Sequence, residues 1–281
     1  MHINDKKYLS LHFENNVFTY FNVKIKEVID ALERFAPLPL QEDWDNAGLQ
    51  IGLTEAEASG ALLCLDVNED IVDEAIAKGC NIIVSHHPLL FRGLKCISGA
   101  DYVQRSVIKA IKHDICVVSM HTNIDNARDG VNFKIAEKLG LDNVRFFAQK
   151  AGADAGSGVV GELPSPMSAS DFVAFVKKTF CVECAMCNEL LQRPVSRVAI
   201  CGGAGDFLLP NAIGEGADAF ITGEMHYHMY FGNEQKIQIC VIGHYQSEQF
   251  TSEIFKSIIS EACENLPVYQ AETNTNPIIY L

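Results

Sequence analysis

Hydrophobic and polar positions along the chain follow two periods. Residues 24–35 carry apolar side chains at helical spacing, and Pro37 and Pro39 end the helix that this predicts. Residues 1–23 show no clear period and read as an N-terminal extension. From residue 61 onward, short apolar runs of strand length alternate with amphipathic segments. Residues 61–67 predict a strand, and Asn68 caps a helix that runs to Lys78, with acidic residues in its first turns and Gly79 closing it. Residues 81–85 predict the next strand, 102–112 a helix, 115–120 a strand and 130–139 a helix. Such βαβ alternation with nearly continuous apolar strands implies a parallel sheet covered by helices on both faces.

Residues 150–158 are the most loop-like stretch and form a natural seam. A second α/β unit follows, with strands at 159–163, 198–201, 218–222 and 238–242, helices at 170–180 and up to about Cys263, and an extended tail over 267–281. The two units rhyme. Ala75-Ile76-x-x-Gly79-x-Asn81 recurs as Ala212-Ile213-x-x-Gly216-x-Asp218, and His121-x-x-x-Asp125 recurs as His244-x-x-x-Glu248. The expectation is an α/β fold of two similar lobes: 24–127 with about 243–281, and 128–242.

Composition narrows the function classes. The chain has 281 residues, 48% of them hydrophobic, which suffices for a sizeable core, and its formal net charge of -14 repels a phosphate backbone. Nucleic acid is thus an unfavoured partner. No apolar run reaches the roughly 20 residues a bilayer demands and no apolar signal core opens the chain, so a cytoplasmic location is expected. Among ten cysteines, Cys64, Cys80, Cys116, Cys201 and Cys240 sit in or beside apolar runs and read as packing residues. Cys181-x-x-Cys184-x-x-Cys187 opens like an iron-sulfur ligand run, but Leu191 stands where the fourth cysteine belongs. The glycine-rich stretch 202–205 fits neither a dinucleotide fingerprint nor a P-loop, and reads as a close-packing turn or at most an anion nest.

Candidate chemistry collects at predicted strand ends. His86 and His87 follow one strand, Asp125 another, and His244 and Glu248 a third. In parallel α/β sheets the carboxyl ends of the strands share a side, so these groups can converge. Five N and O donors exceed the need of one catalytic zinc, adjacent histidines diverge, and a carboxylate has two oxygens with which to bridge. The set reads as a two-metal centre with ions roughly 3.5–4 Å apart. The competing reading is a pair of hydrogen-bonded loop histidines. Residues 42–52 suit a loop that packs down through Trp44 and presents Asp45 and Asn46, or a turn with Asx hydrogen bonds closing on Gly48. His121 is a candidate for orienting a ligand or shuttling a proton, Glu224 and His226 are candidates for acting on a substrate, and His2, His12 and His113 read as solvent-facing.

Trp44-Asp45-Asn46-x-Gly48, Ser85-His86-His87-Pro88, His121-Thr122-Asn123-Ile124-Asp125, Thr222-Gly223-Glu224 and Gly243-His244-Tyr245-Gln246-Ser247-Glu248 together resemble the Nif-three-like dinuclear-metal family, many of whose members are labelled GTP cyclohydrolase I type 2. The resemblance covers about residues 24–281 and the short form of the family. Ser85 departs from it, standing where a glycine is common. It implies a metal pair in the cleft between two α/β lobes, held by His86, His87, Asp125, His244 and Glu248, with Glu248 bridging, in a homohexameric ring. The implied cofactors are two divalent ions of zinc, iron, manganese, cobalt or nickel. The implied activity is a hydrolase that opens the imidazole ring of a purine nucleotide, a small-molecule substrate. Phosphoester hydrolysis and a non-enzymatic metal-binding or protein-interaction role are the alternatives.

Overall fold

A computed structural model describes residues 23–150 and 152–281. The extension read at the N-terminus, including His2 and His12, lies outside the described residues except for Val23. In chain order the strands are β1 (Gly48–Ile51), β2 (Ala61–Cys64), β3 (Ile82–Ser85), β4 (Cys116–Ser119), β5 (Asp142–Phe146), β6 (Val159–Met167), β7 (Met186–Cys187), β8 (Val195–Cys201), β9 (Ala219–Thr222), β10 (Gln238–Val241) and β11 (Val268–Gln270). The helices are α1 (Ile25–Phe35), α2 (Glu69–Ala77), α3 (Tyr102–Lys112), α4 (Thr122–Asp125), α5 (Val131–Lys138), α6 (Ala169–Thr179), α7 (Leu209–Gly214), α8 (His244–Glu248) and α9 (Thr251–Ala262).

Two sheets result. The first runs β1-β4-β3-β2-β11, with β4, β3, β2 and β11 parallel and β1 antiparallel at the edge. The second runs β5-β6-β8-β9-β10-β7, with a parallel centre of β8, β9 and β10 and antiparallel flanks. The predicted purely parallel reading is corrected on these flanks. The missed strands β1, β5, β7 and β11 are all edge strands. Such strands bury less and show no apolar run: β5 is Asp-Asn-Val-Arg-Phe with only Phe146 buried.

Side-chain alternation along the strands sets the layers. In the first sheet Leu63, Val84 and Val118 face one core, while Leu62, Ile83 and Val117 face another beneath α2 and α3. In the second sheet Val198, Ile200 and Ile221 join the first of these cores, and Ala199, Phe220 and Ile239 point to the side covered by α7. The two sheets thus share one apolar interior. Ile259 of α9 and Ile135 of α5 fill it, α9 packing on β2 and β11 and α5 on β6 and β8.

The local punctuation follows the expected physics. Asn68 accepts a hydrogen bond from the Ile71 N–H at the start of α2 (2.9 Å). Gly79 and Gly216, the matched glycines of the internal rhyme, have φ of 69° and 67° and lead from α2 to β3 and from α7 to β9. The helix expected up to about Cys263 is α9, and the segment before it, read as a strand end, forms the short helix α8. The Thr251 hydroxyl donates to the Glu248 carbonyl (2.7 Å) at the break, so α8 is a short separate turn.

Candidate metal centre

The carboxyl ends of β2, β3 and β4 deliver Asp66, His86 with His87, and His121 with Asp125; β10 delivers His244 and Glu248. The His86 and His87 amides donate to the carbonyls of Cys64 and Leu65, extending the β2–β3 pairing past the strand ends. Ser85 then clamps the turn, since its hydroxyl bonds the His87 carbonyl (2.9 Å) and meets the Ser119 hydroxyl (2.8 Å). The serine that departs from the family pattern therefore has a structural partner of its own.

All five residues named as ligands come together, in two groups that share Glu248. His87 Nε2, His244 Nε2 and Glu248 Oε2 lie 3.1, 3.1 and 3.2 Å from one another. An ion bound at about 2.0–2.1 Å in tetrahedral geometry places its donors about 3.3 Å apart. The other group is His86 Nε2, 3.6 Å from both Asp125 Oδ1 and Glu248 Oε1. The His86 ring is fully buried, its Nδ1 lies 2.9 Å from the Met120 carbonyl, and its Nε2 has no hydrogen-bond partner. A buried imidazole nitrogen left unpaired costs free energy that a bound cation removes. The donor set and the orphaned nitrogen thus fit a metal. His121 also offers a nitrogen within ligand distance of His86 and His87.

The electrostatics agree. Burial alone raises the Glu248 carboxyl, but His86, His244 and His87 hold it well below the ordinary range. Asp125 goes the other way, pushed well above its ordinary value by burial and by the neighbouring Glu248 charge. Burial lowers His86, with Glu248 opposing. For His87 burial is outweighed by Asp66 and Glu248, which raise it to about 10, and for His244 Glu248 outweighs burial to give about 9. These surroundings therefore favour the protonated forms of His87 and His244 and the neutral form of His86.

Carboxylates behind the imidazoles fix their tautomers, as in metal sites generally. His87 Nδ1 meets Asp66 (2.7 Å), His244 Nδ1 meets Glu224 (2.7 Å) and His121 Nδ1 meets Asp45 (2.7 Å). The expected roles of Trp44 and Asp45 are reversed: Trp44 is 61% exposed, while the Asp45 carboxylate is buried against His121 and Thr122. Those bonds outweigh burial and bring Asp45 down to about 2. Asp66 was missed by sequence reasoning, and its signal was a carboxylate in an otherwise apolar run at 61–67. Glu224 contacts His244. His226 is exposed, pairs with Asp206 and stands outside the cavity lining. His113 is exposed as expected.

The glycine-rich turn after β8 is a close-packing turn. Gly202, Gly203 and Gly205 spend their N–H groups on Asn132, Ser247 and Thr222. Gly203, at φ 60°, sits so close to Glu248 that a Cβ there collides with Oε1. All ten cysteines are free, and among the described residues none joins a group of three metal-ligating side chains. The five packing cysteines are buried, whereas Cys181 and Cys184 are exposed.

The cluster floors a cavity of about 410 Å³ whose walls include Trp44, Phe91, Phe207 and Asn132. No helix among the described residues is long and apolar enough to cross a membrane.

Comparison with known proteins gives a consistent picture. The model of the family described as Duf34/NIF3 (NGG1p interacting factor 3) matches residues 23–277. A Clostridium acetobutylicum protein named GTP cyclohydrolase 1 type 2 homolog is 32% identical over 263 residues, spanning 91% of this chain and 98% of its own length. A Streptococcus pneumoniae serotype 4 protein of the same name is 35% identical over 206 residues, spanning 72% of this chain and 77% of its own. Among solved structures, the Staphylococcus aureus hypothetical protein SA1388 superimposes with a TM-score of 0.86 at 28% identity, covering 92% of this chain and all of that one (100%).

Proposed function

Because the chain belongs to the Duf34/NIF3 family, we propose that it is a divalent-metal-dependent hydrolase with a dinuclear centre, acting on a purine nucleotide. His86, Asp125 and Glu248 would hold one ion, and His87, His244 and Glu248 the other. The observation that carries this reading is the single carboxylate shared by the two groups, one oxygen toward each. The orphaned His86 nitrogen supports it. Mixed imidazole and carboxylate donors accept zinc, iron, manganese, cobalt or nickel. The purine comes from the names of the relatives, GTP cyclohydrolase 1 type 2 homolog.

Bound ions supply Lewis acidity and acidify water near neutral pH, which is the chemistry that hydrolytic opening of a purine imidazole ring requires. The chain's own residues supply the rest. Asp45 holds the Nδ1 side of His121, leaving Nε2 free to take up or give a proton beside His86 and His87. Glu224 and Asp66 keep His244 and His87 presenting Nε2 to the centre. Trp44 and Phe91, packed edge to face at 5.9 Å, form an apolar wall beside the centre. The centre lies between two lobes, 24–127 with 243–281 and 128–242, a division supported by the two sheets.

The test is elemental analysis of freshly isolated protein, then formate release from GTP with the metal found. Two ions per chain and formate at a rate abolished by Glu248→Ala support the reading. Metal-loaded protein that releases no formate from GTP ends it.

A further inference from the structure

The cavity above the centre has an unusual wall. Trp44 and Phe207 are each 61% exposed and Phe91 46% exposed, yet all three line it. They come from different parts of the fold: Trp44 from the loop before β1, Phe91 from the turn after β3, and Phe207 from the turn after β8. Large aromatic rings left in water at a cavity are a standing cost that a flat ligand removes by stacking.

The polar part of the wall is already engaged. Asn126 donates to the Leu40 carbonyl and Glu42 and accepts from Ser157. Asn132 donates to the Asp125 carbonyl and accepts from the Gly202 amide. No lysine or arginine is among the described residues that line the cavity. Lys150, the nearby cation, is paired with Glu42 at 2.8 Å. The wall's own charged groups are carboxylates and imidazoles, on a chain of net charge -14. For a phosphate such a wall offers no protein cation of fixed charge.

We propose that this cavity binds its substrate by stacking a flat heteroaromatic ring against Trp44 and Phe207, and that no lysine or arginine among the described residues helps to hold phosphate. This rests on the purine-hydrolase reading above and sharpens its substrate: the ring is what the protein itself recognises. An unphosphorylated nucleoside is therefore sufficient for binding.

Trp44 is the only tryptophan, so its emission reports on the cavity directly. Guanosine and ribose 5-phosphate are titrated into the protein as isolated and after chelation. Guanosine is expected to quench Trp44 saturably in both preparations, and ribose 5-phosphate, which meets only the imidazoles of His87 and His244 in the chelated protein, not to quench and to compete at least about tenfold more weakly than guanosine binds. Phe207→Ala, at an exposed position, is expected to weaken guanosine by about tenfold with metal content unchanged. Competition by ribose 5-phosphate in the chelated protein as strong as guanosine binding, absence of guanosine quenching, or unchanged guanosine affinity in Phe207→Ala each overturns the proposal. Guanosine binding without formate release from GTP removes the catalytic reading and leaves stacking in place. Formate release with an unchanged KM in Phe207→Ala does the reverse.

Discussion

Two segments of the molecule repeat one design with different results. After β4 comes His121, the short helix α4 and Asp125; after β10 comes His244, which opens the short helix α8, and Glu248. Both place a histidine and a carboxylate four residues apart at the carboxyl end of a parallel strand. Glu248 is 4% exposed and has two imidazoles within 3.1 Å and a third at 3.6 Å, so it stays ionised. Asp125 has one, His86 at 3.6 Å, and burial beside Glu248 raises its carboxyl. His244 turns Nε2 onto Glu248, whereas His121 is drawn to Asp45. The lesson is that spacing delivers a pair of groups, and the number of opposite charges around each decides its part.

This asymmetry can be broken most severely at Glu248. Glu248→Ala removes the donor common to both groups, and elemental analysis is expected to find both ions lost. Asp125→Ala touches one group only, so metal content is expected to fall to about half, with the His87–His244 group still loaded. Equal losses in the two variants would show that Glu248 does not bridge.

The protons on the two segments give a sharper test. His87 and His244 hold protons up to about pH 10 and 9, and metal must displace both. Affinity at that group is therefore expected to rise with pH, by about a hundredfold per unit below about pH 9 and about tenfold per unit from there to about pH 10, and to flatten above it. Competition with a metal-sensitive dye across pH 6–10 reads this slope. A flat profile contradicts the assignment of these two nitrogens as ligands.

Asp45→Asn separates His121 from the metal-holding set. Loss of the carboxylate behind an imidazole typically costs about 10–100-fold, and here it is expected in kcat with both ions retained. Loss of metal in this variant would instead make His121 a ligand. The smallest effect is expected from His226→Ala, whose exposed imidazole pairs with Asp206 away from the cavity; kcat/KM within about twofold of the parent checks it.

Much of this was legible along the chain. Apolar runs located β2, β3, β4, β8, β9 and β10 because central strands are buried on both faces and leave a continuous signal. The helices α2, α3, α5 and α6 were readable from caps and period. Edge strands such as β5 and β11 were not, since one-sided pairing tolerates polar residues. Trp44 and Asp45 show the same limit in the site. A tryptophan reads as buried and an aspartate as exposed, and the reverse holds because Asp45 finds His121 and Thr122, more than 70 residues along the chain.

The sequence by itself determined the donor types, their places at strand ends and the family they match. Only the tertiary structure decided that Glu248 faces three imidazoles, that Asp66 stands behind His87, and that aromatic rings from separate loops wall one cavity. The reason is physical: identity and period are local properties of a chain, whereas burial, ion pairing and the orphaned His86 nitrogen depend on which distant segments the shared core brings within about 3 Å.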